Sequence, residues 1–337
     1  MTYRPELDGL RGIAIVLTIA AHLHLPYLEG GGVAGVTLFF VLSGYLITSL
    51  LRQEITSTGH VDLRAFYIRR IRRLVPALVA LVAVVGLVQI FIFGRAEEWA
   101  RDAVVVLGYG ASIATAFGQP LTFLNGTWSL SVEEIFYLLW PGLFLLARGR
   151  RSLLAVLFAG IAASMAIRLS LPGGPLTYNR PDVRADSILW GCVLAFVPLR
   201  LPQLVAVAAW GIVALVTVLE PDSMLIGLTA AAVSGFVLVA TARPGWLSWR
   251  PLVRIGQISY GLYLWQMLAI GLVDPQRGVI DPVRWIVATV AVFALALASE
   301  RWIERPFRHS RTPPVAIAPP VDIARAIASG VTSRPGA

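Results

Sequence analysis

The sequence predicts an all-α integral membrane protein, a bundle of about ten transmembrane helices with both termini cytoplasmic. Three observations predict it. The 337 residues are 57% hydrophobic and 14% charged, where soluble domains carry roughly 25% charged residues. Mean hydropathy is +0.75, which makes the bilayer the natural solvent. The apolar residues also gather into segments close to the length of about 20 residues that a spanning helix needs.

Those segments run 9–27, 33–51, 74–93, 128–147, 153–171, 187–199, 202–220, 223–242, 258–273 and 284–300. The first is preceded by Glu6, Asp8 and Arg11, contains His22 and His24, and has no clear small-residue cleavage site. It reads as a retained helix and not as a cleaved leader. Gly30-Gly31-Gly32 forms a short turn before the second segment and lacks the context of a nucleotide-binding loop. The short segment 187–199 borrows residues from its flanks. An eleventh candidate, 102–118, contains Gly108, Tyr109, Gly110, Ser112 and Thr115.

Arginine placement decides that eleventh case. All 28 positive side chains are arginine, and ten spans from an inside N-terminus leave most of them on the cytoplasmic side. A crossing at 102–118 would put Arg148, Arg150, Arg151 and the Arg243–Arg254 loop outside, against the positive-inside rule. The stretch 94–127 is therefore expected to be an outer loop with a re-entrant or surface-lying piece. The membrane domain is expected over 1–308. The Pro-, Ala- and Ser-rich 309–337 is expected to be a disordered cytoplasmic tail. The single cysteine, Cys192, excludes an intrachain disulfide. Retained cytoplasmic arginines account for the formal charge of +9, so nucleic acid is not an expected partner.

Polar groups inside spans are costly and therefore candidates for function. Arg11 and His22 lie eleven residues apart, on one helix face and roughly 16 Å apart along the axis. A histidine there is either satisfied structurally by a neighbour or catalytic. Arg69, Arg70, Arg72 and Arg73 precede the third apolar segment. They read as a topology anchor contacting anionic lipid, or as a bidentate phosphate site for a donor carrying several phosphates. Glu133 and Glu134 open the fourth segment about 100° apart, so at most one faces His22, where it would fix the imidazole tautomer. Helix capping is the alternative for one of them. The run from Arg180 to Asp186 reads as a salt-bridged outer loop or as an acceptor-binding lip. The run from Ser259 to Gln266 opens the ninth segment, where its aromatics could form an interfacial belt.

These strings resemble the acyltransferase-3 family of integral membrane acyltransferases. The resemblance rests on Leu7-Asp8-Gly9-Leu10-Arg11-Gly12 with His22, and on Phe39-Phe40-Val41-Leu42-Ser43-Gly44-Tyr45. It also rests on the arginine run ending in Pro76, on Trp128-Ser129-Leu130-Ser131-Val132-Glu133-Glu134, and on Arg184-Ala185-Asp186 with Gly191. Ser259-Tyr260 and Glu304-Arg305-Pro306-Phe307-Arg308 complete it, in family order across 7–308.

The resemblance implies a bundle of about ten helices and O-acylation, often O-acetylation, of carbohydrate or other hydroxyl acceptors. Acyl-CoA, acetyl-CoA in particular, would be the donor co-substrate, with no permanently bound cofactor and no metal. It implies catalytic roles for His22, Glu133 and Glu134, and donor handling by Arg11, Arg69, Arg70 and Arg73. Ser43, Tyr45, Trp128, Arg184, Asp186 and Tyr260 would bind substrate. Two positions depart from the family pattern: Ile135, where a glutamine is usual, and Gln266, where a histidine is usual. Gln266 removes a titratable group and with it a second-histidine mechanism. The expected acceptor is a carbohydrate, a glycolipid or a glycosylated small molecule, reached from the cytoplasmic membrane. A second class of function, a transporter or flippase of lipid-linked glycans, would also use buried Arg, His and Glu. Paired broken helices and internal repeats, which transporters commonly show, are not evident.

Overall fold

A computed structural model describes residues 3–147, 149–197, 199, 201–219, 224–273 and 281–308. The expected tail, 309–337, lies outside the described residues. Among the described residues every regular element is helical. In chain order these are α1 Pro5–His22, α2 Gly31–Thr58, α3 Leu63–Phe91, α4 Ala96–Leu107, α5 Ala111–Ala116, α6 Thr127–Leu146 and α7 Arg150–Ser170. They continue with α8 Gly174–Asn179, α9 Pro181–Phe196, α10 Gln203–Leu219, α11 Met224–Thr241, α12 Arg250–Gln257, α13 Ser259–Val273 and α14 Pro282–Ser299. A π-helical turn, Glu300–Glu304, leads into α15, Arg305–Arg308.

Five helical stretches are long and apolar enough to cross a membrane: α2, α3, α6, α7 and the stretch Pro282–Phe307 that begins with α14. Shorter apolar helices occupy α10, Ile226–Thr241 and α13. Large apolar side chains stand exposed along these helices, including Leu87, Phe91, Leu138, Leu146, Phe158, Val207 and Val290. Lipid is the solvent that such a surface suits, and the chain is a membrane protein. The polar motifs sit on α1 and α9. Glu6, Asp8 and Arg11 charge the first, and Asp182, Arg184 and Asp186 charge the second.

Local chemistry explains the boundaries. Gly59, at φ 78°, ends α2 in the left-handed conformation that glycine tolerates. Asp62 then caps α3 by accepting a hydrogen bond from the Ala65 amide at 2.9 Å. The stretch 94–127 forms α4 and α5, of 12 and 6 residues. At 1.5 Å per residue neither helix reaches across a hydrocarbon core of about 30 Å. They are separated at Gly108–Gly110, where Tyr109 has φ 55°.

Residues 181–186 are not loop. Pro181 occupies the first turn of α9 and Asp182 follows it, a helix-start pattern in which proline's missing N–H and fixed φ cost nothing. Only Arg180 and Asp182 remain as an ion pair near the surface, at 2.5 Å. Arg184 and Asp186 turn inward and are buried. The burial follows from the packing of α9 on α2. Arg184 meets Thr37 at one end and Phe196 meets Arg52 at the other, so the two helices run parallel. A Cβ on Gly44 would collide with the Ile188 carbonyl, and one on Gly191 with the Val41 carbonyl. Two facing glycines let the backbones touch, the usual device of helix pairs in lipid. α1 lies antiparallel to α2, with Gly31 against Leu17 and Gly35 against Ala14.

Candidate active site

Helices α1, α2, α3, α6, α12 and α13 surround a narrow cavity of about 70 Å³. Its polar lining is Arg11, Ser43, Arg70, Arg73, Ser129, Glu133, Tyr137, Gln257, Ser259, Tyr260 and Tyr263. Ser129, Glu133 and Tyr137 stand at successive i, i+4 positions of α6 and so share one face.

Glu133 is the centre of this lining. Ser43 donates to its Oε1 at 2.8 Å and Tyr137 donates to its Oε2 at 3.3 Å. Arg11 and Arg70 lie within its electrostatic reach. Glu134 points elsewhere on α6: it is not part of the lining, its Oε1 is buried without a hydrogen-bond partner, and Tyr109 and Tyr260 lie within its electrostatic reach. Arg70 stacks over the Tyr137 ring at 4.0 Å, a cation–π contact that holds the guanidinium in place. Tyr260 donates to the Leu74 carbonyl at 2.6 Å, tying α13 to α3. The arginine run divides. Arg70 and Arg73 line the cavity, whereas Arg69 turns to Glu54 at 3.8 Å and is half exposed.

His22 is the last residue of α1. Its Nδ1 lies 3.3 Å from Oε1 of Gln266 on α13. Gln266 is fully buried, and its amide nitrogen has no hydrogen-bond partner. Sequence reasoning gave the place beside His22 to a glutamate of α6. The structure sets Gln266 there and directs Glu133 to Ser43 and Tyr137. Tyr137 was missed, whereas Ser129 and Tyr263, which lay within the motifs without a role of their own, share a 2.5 Å hydrogen bond. A polar residue within an apolar helix, as Gln266 is, was the available signal; its partner was not.

A family model described as an acyltransferase domain, Acyl_transf_3, matches residues 4–301. The chain belongs to this acyltransferase family. It is 34% identical to the peptidoglycan O-acetyltransferase OatA of Listeria monocytogenes serovar 1/2a, over 91% of the chain and 56% of the relative. The putative peptidoglycan O-acetyltransferase YrhL of Bacillus subtilis is 34% identical over 91% of the chain and 55% of its own length. The O-acetyltransferase OatA of Staphylococcus aureus strain NCTC 8325 is 32% identical over 91% and 57%. The chain thus spans a little over half the length of these curated relatives. No solved structure matches it significantly.

In this acyltransferase-family chain the remaining motif residues lie outside the cavity lining. Arg184 is fully buried, donates to Thr37 Oγ1 at 2.9 Å, and has its Nε and Nη1 without partners. The rings of Phe40, Tyr178 and Trp128 surround its guanidinium at 5.3, 5.2 and 5.9 Å. Asp186 pairs with Arg168 at 2.6 Å, both buried. An arginine inside the apolar α7, as Arg168 is, calls for a buried carboxylate of this kind. Tyr45 points away from the cavity and accepts from Arg4 at 3.0 Å. The motif positions therefore separate into cavity wall (Ser43, Glu133, Tyr260), buried polar support (Arg184, Asp186, Trp128) and a contact at the far end of α1 (Tyr45).

Proposed function

We propose that this chain is a membrane O-acetyltransferase that moves an acetyl group from acetyl-CoA to a hydroxyl of a glycan, with peptidoglycan-like chains as the acceptor class. The observation that carries the reading is a histidine beside a buried amide, with a cavity walled by three arginines and a carboxylate a few turns away along the same helices. The relatives' names support the acceptor class. The working arrangement is about ten spans with both termini in the cytoplasm of a cell-membrane protein, over 1–308.

Coenzyme A phosphates bind at the arginine-rich end, on Arg70 and Arg73, with Arg69 at the rim. Arg11 and Glu133 hold the wall along which the pantetheine arm passes. His22 acts as general base. In the tautomer with its proton on Nδ1, that nitrogen donates to Gln266 Oε1 and Nε2 carries the basic lone pair. His22 takes the proton of the acceptor hydroxyl as the oxygen attacks the thioester carbonyl. The C–S bond breaks, and the thiolate leaves with the proton returned by His22. The amide nitrogen of Gln266 supplies a hydrogen-bond donor for the oxyanion that forms on the carbonyl. Acid–base help of this kind contributes about 10²–10⁴-fold.

The test is acetyl transfer from acetyl-CoA by the purified chain in detergent. His22→Ala should abolish transfer while the protein stays inserted and monodisperse. Near-full transfer by His22→Ala would refute the assignment, and absence of thioester consumption by the native chain would refute acyl transfer itself.

A further inference from the structure

A second cavity, of about 610 Å³, lies at the other end of the molecule. Its lining includes Phe93, Arg95, Gln119, Phe123, Asn125 and Asn179. Arg70 and Arg73 lie in the third and fourth turns of α3, and Phe93 lies two residues past its end. Twenty-one residues separate Arg70 from the end of α3, so the two cavities lie about 30 Å apart along that helix. Between them Phe123, Thr127, Tyr263, Leu264 and Met267 line a small crevice. It shares Phe123 with the far cavity and Tyr263 and Leu264 with the arginine-lined one. Gln266, the partner of His22, is next to Met267 in this partition.

The far cavity has a built floor. Thr122 is held at both of its backbone groups by side chains with no exposed surface. Its amide donates to Asp102 Oδ2 at 3.1 Å, and its carbonyl accepts from Gln89 Nε2 at 3.2 Å. The clamp fixes Phe123 at φ 59°, a strained backbone for an aromatic residue. The Phe123 ring then packs on Gly271, where a Cβ would come within 2.7 Å of it, and beside Phe93 with ring centroids 5.9 Å apart. Strain held by two buried polar side chains from two helices points to a surface whose shape is used.

We infer that this cavity binds the acceptor as a neutral glycan segment. Three side-chain amides, Gln119, Asn125 and Asn179, offer donors and acceptors for sugar hydroxyls and acetamido groups. Two aromatic rings offer apolar faces for the C–H faces of sugar rings. The lining contains no carboxylate, and its arginine, Arg95, is paired with Glu98 at 3.7 Å. The volume falls within the range of about 300–1,000 Å³ typical of ligand sites. The inference rests on the acyl-transfer reading for its purpose: Met267, which lines the small crevice, follows Gln266, the contact of His22.

The experiment is calorimetric titration of the purified full chain with a β-1,4-linked oligomer of N-acetylglucosamine. The native chain should bind it. Asn125→Ala/Asn179→Ala should weaken binding tenfold or more, and Gln203→Ala, an amide removed elsewhere on α10, should leave it within twofold. Each variant must unfold at the temperature of the native chain, and Asn125→Gln/Asn179→Gln serves as the conservative pair, expected to retain part of the affinity. Equal binding by the native chain and the alanine pair, no binding by either, or equal weakening by Gln203→Ala would overturn the inference. A chain that binds the oligomer but consumes no acetyl-CoA would sink acyl transfer and leave the glycan site standing.

Discussion

Nδ1 of His22 and Oε1 of Gln266 face each other at 3.3 Å across the contact between α1 and α13. Here an amide keeps the contact without a second titratable group. The amide can do two things: accept from the imidazole N–H and donate to a developing oxyanion. Gln266→Leu removes both and should lower the transfer rate about 10²–10³-fold. Gln266→Glu keeps the acceptor and loses the donor, so it should fall between the native chain and Gln266→Leu. Single-turnover transfer rates at saturating acetyl-CoA check this. A Gln266→Leu rate within twofold of native would show that the contact only packs.

The arginine run should behave as three separate residues. Arg70 and Arg73 line the cavity, and each charge-assisted hydrogen bond to phosphate is worth about 1.5–3 kcal/mol. Arg70→Ala and Arg73→Ala should therefore raise the KM for acetyl-CoA about tenfold to a hundredfold. Arg69 is half exposed and turned toward Glu54, so Arg69→Ala should change it by less than about threefold. Equal effects at all three positions would favour a diffuse basic surface over a phosphate site.

Much of this was legible in the sequence. Arg11, Ser43, Arg70, Arg73, Glu133 and Tyr260 were all candidates, and the fold brings them to one wall. Arginine placement kept 94–127 from reading as a span, and α4 and α5 are indeed short. What could not be read were pairings between helices distant in sequence. Glu133 finds Ser43, Gln266 finds His22, and Asp186 finds Arg168, with separations of 90, 244 and 18 residues. A helical period says which face a residue occupies, not which helix covers that face. The same gap made 181–186 look like a loop, because its charges suggested water where α2 and α7 supply partners.

The Arg168–Asp186 pair gives a stability test. Both side chains are buried, at 2.6 Å. Removing one partner of a buried pair strands the other charge and costs about 3–5 kcal/mol. Arg168→Ala should lower the unfolding midpoint in detergent strongly. Arg168→Ala/Asp186→Ala, which strands no charge at this pair, should recover part of the loss. A double variant as unstable as the sum of the two singles would show that the pair contributes through separate contacts.

Two glycines make opposite predictions for one substitution. Gly191 of α9 lies against α2, where a Cβ would run into the Val41 carbonyl. Backbone cannot move aside as a side chain can, so Gly191→Ala must push α9 from α2, at a cost of about 1–3 kcal/mol. That shift would also draw Arg184 from Thr37, so transfer activity should fall with stability. Gly142 of α6 has nothing within 4 Å of a built Cβ. Gly142→Ala therefore gains helix propensity without a clash, by up to about 1 kcal/mol. Thermal unfolding of both variants should move in opposite directions from the native midpoint. If Gly191→Ala were as stable as native, the close approach of α2 and α9 would not be what holds the motif-bearing helix in place.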